Sequence, residues 1–396
     1  MRFALIADVY LPLRTSGAVQ IRDLSREFSY LGHEITVIVP TSEIQNSWFL
    51  EDVSGVKVLW LRAPNTKKNN YIMRTFAEFL MPYFMIKNLQ KSPLANHQWD
   101  GVIWYSPSIF HGPFANSIKR RSNCKSYLII RDIFPQWAAD MQIINKIGLI
   151  YFIFNIVARY QYAVADTIGV QTQGNLNYFK DWVGDGNRRL EVLQNWLFDT
   201  PIGYCSIKLS KTKLAGRRIF LYVGNMGIAQ GVGTFVELAD LFQKRTDVGF
   251  LFVGRGSEAK RLFEYAKIRK INNILFYDEI HPDEIPSLCS QCAVGLIALD
   301  PKHKTHNIPG KFLTYMQAGL PVLGIVNENN DLIRVIKKYR IGFVCINRDL
   351  YSLKVLASKI LDLLYVDNNV KSRCRDLYLK HFSPGIAVKQ IVNALK

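Results

Sequence analysis

Cysteine is scarce: Cys124, Cys205, Cys289, Cys292, Cys345 and Cys374 are the six in 396 residues. So few, so scattered, exclude a disulfide framework, and the lone C-x-x-C of Cys289 and Cys292 lacks a second pair to complete a zinc site. A reducing, cytoplasmic compartment fits that usage. Long apolar runs are missing too. The longest, residues 147–158, is bounded by Lys146 and Arg159 and interrupted by Asn155. It is far short of the roughly twenty residues that cross a bilayer core. The opening apolar stretch, residues 3–7, is too short for a secretory signal and stops at Asp8. The expectation is a soluble or peripheral protein. No G-x-G-x-x-G follows the first strand, so a dinucleotide fingerprint is unsupported.

Acid is also in short supply, 32 Asp+Glu against 50 Lys+Arg, for a net charge of +18. The excess is uneven. Residues 1–56 carry −3, residues 57–131 carry +10 with only Glu78 and Asp100 as acids, and residues 132–198 carry −1. A basic segment of that kind attracts polyanions: nucleic acid, an anionic membrane or a nucleotide's phosphates.

With 49% hydrophobic and 21% charged residues, the chain has the composition of a globular protein long enough for two domains. Short β-rich runs alternate with helical-period segments, the pattern of parallel sheets covered by helices. Strands are expected at 3–7, 35–39, 56–61, 102–104, 127–130, 168–170 and 191–193. Ile21, Leu24, Phe28 and Leu31 recur at helical spacing before Gly32 ends that helix. The rhythm breaks at 196–217, which carries Pro201, Gly203 and Gly216. A second series follows at 219–223, 250–253, 274–276, 294–298, 322–325 and 343–345, with helices near 234–245, 258–270 and 311–317. The expected fold class is α/β: two Rossmann-like doubly wound domains facing a cleft. The boundaries are 1–195, a linker 196–217, a second domain 218–375, and a C-terminal helical segment 376–396 packing back toward the first domain.

In such domains ligands bind at the C-terminal ends of strands. Three loops there carry the phosphate-seeking residue types. Gly17 sits where the first strand hands over to a helix, and a helix start aims N–H groups at an anion. Tyr222-Val223-Gly224-Asn225-Met226-Gly227-Ile228-Ala229-Gln230-Gly231 offers three glycines plus Asn225 and Gln230 as side-chain donors. Gly254-Arg255-Gly256 repeats the device with a cation. In Asn307-Ile308-Pro309-Gly310-Lys311, Pro309 starts a helix and Lys311 lies in its first turn, against the helix dipole unless an anion sits between. His303 and His306 are three apart but lack a third metal ligand. Asp132 follows the strand 127–130, so its carboxylate falls at a strand end, able to orient a hydroxyl or accept its proton. Arg131 is equally placed to hold Asp132 in a structural ion pair. His111 is a second base candidate; a loop histidine is more often solvated.

These pieces together resemble the family-4 nucleotide-sugar glycosyltransferases, which have the two-domain GT-B fold. The matching residues are Gly17 with the helix ending Gly32-His33-Glu34; Gly224-Asn225; Gly254-Arg255-Gly256; and Pro309-Gly310-Lys311 through Ala318-Gly319-Leu320-Pro321-Val322. Tyr105-Ser106-Pro107 and Arg131-Asp132-Ile133-Phe134-Pro135-Gln136 are similar to bacterial surface-polysaccharide transferases that add N-acetyl-L-fucosamine. Two departures stand out. The family's paired glutamates, eight positions apart, fall at His306 and Thr314, and a histidine often stands where Arg131 is.

The resemblance implies transfer of an N-acetylated deoxyhexose from a UDP-sugar to a lipid diphosphate-linked saccharide in O-antigen or capsule assembly, with retention of configuration. Asp132, Lys311 and Arg255 are the candidate catalytic residues. Gly17, Gly224, Asn225, Gln230, Gly254, Asn307 and Thr314 are the candidate donor-binding ones. No cofactor is expected, and no D-x-D-type motif is placed to hold a metal on the diphosphate. Residues 71–87, mostly apolar and flanked by Lys67, Lys68, Lys87 and Lys91, suggest an interfacial segment, with Pro82 dividing it into two short helices. The expected location is therefore peripheral, on the inner face of the cytoplasmic membrane. An epimerase of the same fold is the alternative enzyme. A nucleic-acid binder, suggested by the charge alone, has no helix-turn-helix, zinc-finger or RNP signature, so no nucleic-acid partner is expected.

Overall fold

The computed structural model describes residues 1–13, 15–67, 70–183, 188–299, 306–346 and 348–396. Lys68 and His303 lie outside them. The chain divides into two units, residues 1–196 with 384–396, and residues 197–383.

Among the described residues the first unit holds an eight-stranded sheet in the order β3-β4-β2-β1-β5-β6-β7-β8. Its strands are β1 (Arg2–Ile6), β2 (Glu34–Thr41), β3 (Trp48–Val53), β4 (Val56–Arg62), β5 (Gly101–Tyr105), β6 (Lys125–Ile130), β7 (Thr167–Val170) and β8 (Arg189–Val192). All neighbours run parallel except β3, which pairs antiparallel with β4. β1, β5, β6 and β7 are buried along both faces (Arg2 and Lys125 apart), which is why they are nearly continuous apolar runs. The covering helices are α1 (Ser16–Tyr30), α2 (Tyr71–Leu89), α3 (Gly112–Ser122), α4 (Gln136–Asp140), α5 (Leu149–Val164) and the single turn α6 (Lys180–Val183).

The second unit has a six-stranded parallel sheet in the order β11-β10-β9-β12-β13-β14. The strands are β9 (Arg218–Val223), β10 (Val248–Val253), β11 (Ile274–Tyr277), β12 (Val294–Ala298), β13 (Val322–Ile325) and β14 (Gly342–Cys345). Its helices are α7 (Gly233–Leu241), α8 (Ala259–Ile268), α9 (Ile285–Ser290), α10 (Gly310–Gln317), α11 (Asp331–Tyr339), α12 (Leu350–Val366) and α13 (Val370–His381). The last helix, α14 (Pro384–Leu395), returns to the first unit. There Val388 and Ile391 join Phe3, Leu5, Leu24 and Phe28 in one core.

In each sheet the strand order reverses once, between β1 and β5 and between β9 and β12. Both units are thus doubly wound, and each has a switch point where a crevice opens at the strand ends.

Three expectations need correcting. Residues 196–217 are no free linker: Cys205, Ile207, Leu209 and Leu214 are buried in the second unit's core. Their Pro and Gly content hides apolar anchors. The C-terminal segment does not begin at 376, because α13 belongs to the second unit, with Cys374, Leu377 and Tyr378 in its core. Pro82 does not divide α2. Ala77, Met81, Met85 and Leu89 are all buried along one face, and that stripe carries the helix past the missing N–H.

Candidate functional site

The second unit's switch point is built around α10. Beyond the pairs Val294↔Phe220 and Gly295↔Leu221, β9 and β12 stop pairing. The Tyr315 hydroxyl from α10 bridges the opening strands, donating toward the carbonyls of Leu221 (3.0 Å) and Leu296 (3.2 Å) and accepting from the Val223 N–H (3.2 Å). A Cβ at Gly295 would come within 2.4 Å of its ring, so that glycine is what admits Tyr315. Sequence reasoning missed it, because a tyrosine in a helix reads as ordinary core.

One turn before Tyr315, Lys311 lies with its Nζ 3.7 Å from the centroid of the Tyr222 ring. Its side chain also faces Gly224, whose absent Cβ would lie 3.8 Å from the lysine's Cε. Burial pushes the ammonium down to about 7 from its ordinary value of 10.5. Lys311 is partly buried. It also sits at the start of α10, whose N-cap, Pro309, offers no side-chain acceptor. A cation held in a desolvated place, at a helix N-terminus, is in local conflict with its surroundings; a bound anion removes that conflict. Thr314 is partly buried on the same helix. The Asn307 carbonyl accepts from the Asn330 side chain at 3.1 Å, tying the approach to α10 against the start of α11.

The two glycine loops pack on each other. Gly224 (φ +123°) and Gly254 (φ +143°) both lie in the region that favours glycine. A Cβ on Gly254 would stand 2.1 Å from the Gly224 carbonyl oxygen. The contact is sealed by backbone bonds from Gly224 N to Val253 O (2.9 Å) and from Met226 N to Arg255 O (2.7 Å). Those two N–H groups are spent on holding the loops together. Asn225 and Gln230 likewise turn to each other: the Gln230 Oε1 accepts from the Asn225 amide (3.2 Å) and from the Gly227 N–H (3.1 Å). The loop residues therefore shape the crevice floor rather than all pointing donors into it. Arg255 is 78% exposed and paired with Glu279 at 2.9 Å, an exposed ion pair that is weak enough to exchange partners.

In the first unit the switch point lies between β1 and β5. Gly17 is the second residue of α1, whose N-cap Thr15 accepts from the Ala18 N–H at 3.3 Å. Across the opening, Asp8 after β1 and His111 at the start of α3 approach to 2.8 Å. His111 is wholly buried, not the solvated loop histidine expected. Its burial comes from Gly112: a Cβ there would meet the Gln161 backbone at 2.9 Å, so the glycine lets α3 seat closely against α5. Glu78 of α2 faces the same group. Burial raises its carboxyl, opposed by a hydrogen bond from Arg74, with Asp8 also raising it and His111 lowering it. Neither Asp8 nor Glu78 was a sequence candidate; Asp8 was legible as an acid at a strand end.

Asp132 is exposed, immediately after β6. Arg131 points inward, donating to the carbonyls of Leu193 (2.8 Å) and Gln194 (3.4 Å) and stacking 4.8 Å from the Trp196 ring. Arg131 is thus tied to the chain leaving β8, and the Asp132 charge also acts on it. Cys289 and Cys292 are buried, with burial pushing the Cys289 thiol up to about 12, so neither is a ready thiolate.

Residues 217–365 match the family model described as glycosyl transferases group 1. The chain is 22% identical over 306 residues to a probable glycosyltransferase, WbjE, of Pseudomonas aeruginosa, covering 76% of this chain and 75% of the relative. It is also 22% identical over 329 residues to the putative colanic acid biosynthesis glycosyl transferase WcaI of Escherichia coli, 73% and 74% covered. The solved structure of Anabaena HepE in complex with UDP and glucose superposes with a TM-score of 0.67 at 12% identity, over 100% of this chain and 99% of that one. The fold is the two-unit, doubly wound GT-B architecture, and these matches support a glycosyltransferase.

Proposed function

We propose that the protein transfers a sugar from a UDP-sugar to a lipid diphosphate-linked saccharide during assembly of a bacterial surface polysaccharide, at the inner face of the cytoplasmic membrane. The group 1 match, the polysaccharide context in the WcaI name and the UDP bound to HepE support that reading. The sugar is an N-acetylated deoxyhexose such as N-acetyl-L-fucosamine, and configuration is retained; both rest on the resemblance of the Arg131-Asp132 and Pro309-Gly310-Lys311 motifs.

The observation that carries the proposal is the seat of Lys311, desolvated over Tyr222 at the β9/β12 switch point. When the sugar's C1–O bond breaks, UDP departs with new negative charge on its diphosphate. Lys311, the start of α10 and an Arg255 released from Glu279 supply fixed positive potential there. Gly224, Asn225, Gln230 and Gly254 form the floor, with Asn307 and Thr314 toward the nucleoside. The acceptor hydroxyl attacks C1, and Asp132 orients it or takes its proton; Gly17 leaves room at the start of α1. With these cations in place, transfer is proposed to proceed without a metal.

Mass spectrometry of products from a panel of UDP-sugars, each with and without a lipid diphosphate-linked saccharide, tests the reading. Acceptor-dependent glycosylation is expected. Conversion of a UDP-sugar to an epimer without acceptor would overturn it. Activity abolished by EDTA and restored by Mn²⁺ or Mg²⁺ would overturn the metal-free part alone.

A further inference from the structure

The first unit's switch point holds a titratable pair to which the transfer chemistry assigns no part. Asp8 lies two residues beyond β1, with its side chain 34% exposed, and its Oδ1 is 2.8 Å from the Nε2 of wholly buried His111. The approach is close but off the line of a hydrogen bond. Among the described residues both imidazole nitrogens are buried without a hydrogen-bond partner. His111 stands at the N-cap of α3, yet its side chain caps no N–H. Gln161, against which Gly112 packs, gives its Oε1 to the Trp104 indole at 3.1 Å and keeps its Nε2 buried and unspent. Buried polar atoms left open are costly, and a fold that keeps several together keeps them for a purpose. Acid gathers here too. Glu78, one of two acids in residues 57–131, faces the pair from α2. Glu78 itself is taken: Arg74 holds it at 2.9 Å and its side chain is 18% exposed. Asp8 has no other polar partner among the described residues, so its Oδ2 is unspent.

We infer that Asp8, aligned by His111, takes the proton of the attacking acceptor hydroxyl, a role that rests on the proposed transfer and leaves Asp132 to orient that hydroxyl. The acceptor oxygen bonds to C1 as the bond from C1 to UDP breaks. The electron pair leaves with UDP, and the hydroxyl proton passes to Asp8 Oδ2 and from there to water. A base needs a third group to hold it, and a buried imidazole poised at one carboxylate oxygen is such a group. Catalytic hydrogen bonds commonly align only once substrate is bound. The short, off-line approach of Nε2 to Oδ1 is that unaligned state: a small turn of Asp8 makes the bond and sets Oδ2 outward. His111 is therefore a positioning residue and Asp8 the catalytic one. Beside Asp8 and Glu78 the ligand is a neutral sugar hydroxyl, since a phosphate would meet two carboxylates.

Steady-state rates of the full-length chain are measured with the UDP-sugar and lipid diphosphate-linked saccharide that give product in the mass-spectrometric panel, beside UDP binding and thermal melts. Asp8→Asn, at a partly exposed position, is expected to lower kcat by about a hundredfold or more, with the KM for the UDP-sugar, UDP binding and the melt unchanged. His111→Phe keeps a buried ring and removes two open nitrogens, so it should melt no lower than the wild type while losing a similar factor in kcat. His111→Gln, smaller than the ring and still a donor, should recover most of the rate. The double variant Asp8→Asn with His111→Phe should be no slower than Asp8→Asn alone, because His111 acts through Asp8. Near-normal kcat in Asp8→Asn would overturn the base. Losses that multiply in the double variant, or a His111→Gln that is both slow and low-melting, would overturn the positioning role in favour of packing. No transfer by the wild type with any pair defeats the transferase reading and the base with it, whereas an Asp8→Asn that transfers normally defeats the base alone.

Discussion

Lys311→Met removes a charge that the second unit holds against its own interest. Lowering the ammonium from 10.5 to about 7 is on the order of 4–5 kcal/mol of disfavoured charge, at about 1.4 kcal/mol per unit. The Tyr222 face, 3.7 Å away, returns about 2 kcal/mol. The net cost to the ligand-free fold is about 2–3 kcal/mol, and methionine keeps the apolar stem in place without it. The variant should therefore melt about 4–8 °C higher at neutral pH. The pH dependence fixes the sign. Between about pH 7 and 10.5 the unfolded chain keeps this proton while the folded chain has lost it, so wild-type stability rises across that window. The penalty is full below about pH 7, and the gap between variant and wild type should close toward pH 10. Transfer should meanwhile fall by about two decades in kcat/KM, equal to about 3 kcal/mol of transition-state stabilisation. Scanning calorimetry across pH, paired with steady-state rates, makes the measurement. A variant that melts at or below the wild type at pH 6–7 and still turns over normally would refute the reasoning.

Other outcomes follow from the same geometry. UDP binding should draw in nearly one proton at pH 8, seen by calorimetry in buffers of different ionisation enthalpy, and should weaken up to about tenfold per pH unit above 7; no proton uptake would separate Lys311 from the phosphates. Gly254→Ala forces a Cβ to 2.1 Å from the Gly224 oxygen at φ +143°, so a loss of about 3 kcal/mol or more is expected in a denaturant melt. Asp132→Asn, at an exposed position, should leave the melt within about 0.5 kcal/mol while lowering transfer. Arg131→Ala should instead cost about 3 kcal/mol by abandoning the Leu193 and Gln194 carbonyls and the Trp196 face; the reverse ordering of these two would show that their roles are exchanged. Tyr315→Phe leaves three backbone groups at the β9/β12 opening without their hydroxyl, and should raise the KM for the UDP-sugar as α10 shifts.

The sheets were legible because buried parallel strands must be apolar throughout: runs such as 219–223 and 250–253 announce themselves. β3 was not, since an edge strand carrying Glu51 and Asp52 has one wet face and no such run. Glycine and lysine near strand ends marked the loops after β9 and β10 and the start of α10 in the sequence, but composition could not say which N–H groups the loops spend on each other. That is a matter of two segments thirty residues apart meeting backbone to backbone. The Asp8–His111 contact was out of reach for a like reason, joining residues a hundred positions apart through the β1/β5 pairing. Lys311 was the favourable case, because its conflict with a helix start is local and therefore written in sequence.

The return of α14 to the first unit bears on how the protein is made. β1 leaves the ribosome long before α14, yet Leu395 reaches the Gly101 edge of β5, where a Cβ would touch it at 2.9 Å, and the Gln390 amide caps the Val192 carbonyl. The intervening 197–383 form a self-contained core. During synthesis the first unit must therefore wait, with Phe3, Leu5 and Phe28 incompletely covered, while the second is made and can close. The first unit, begun before the second, is completed only after it.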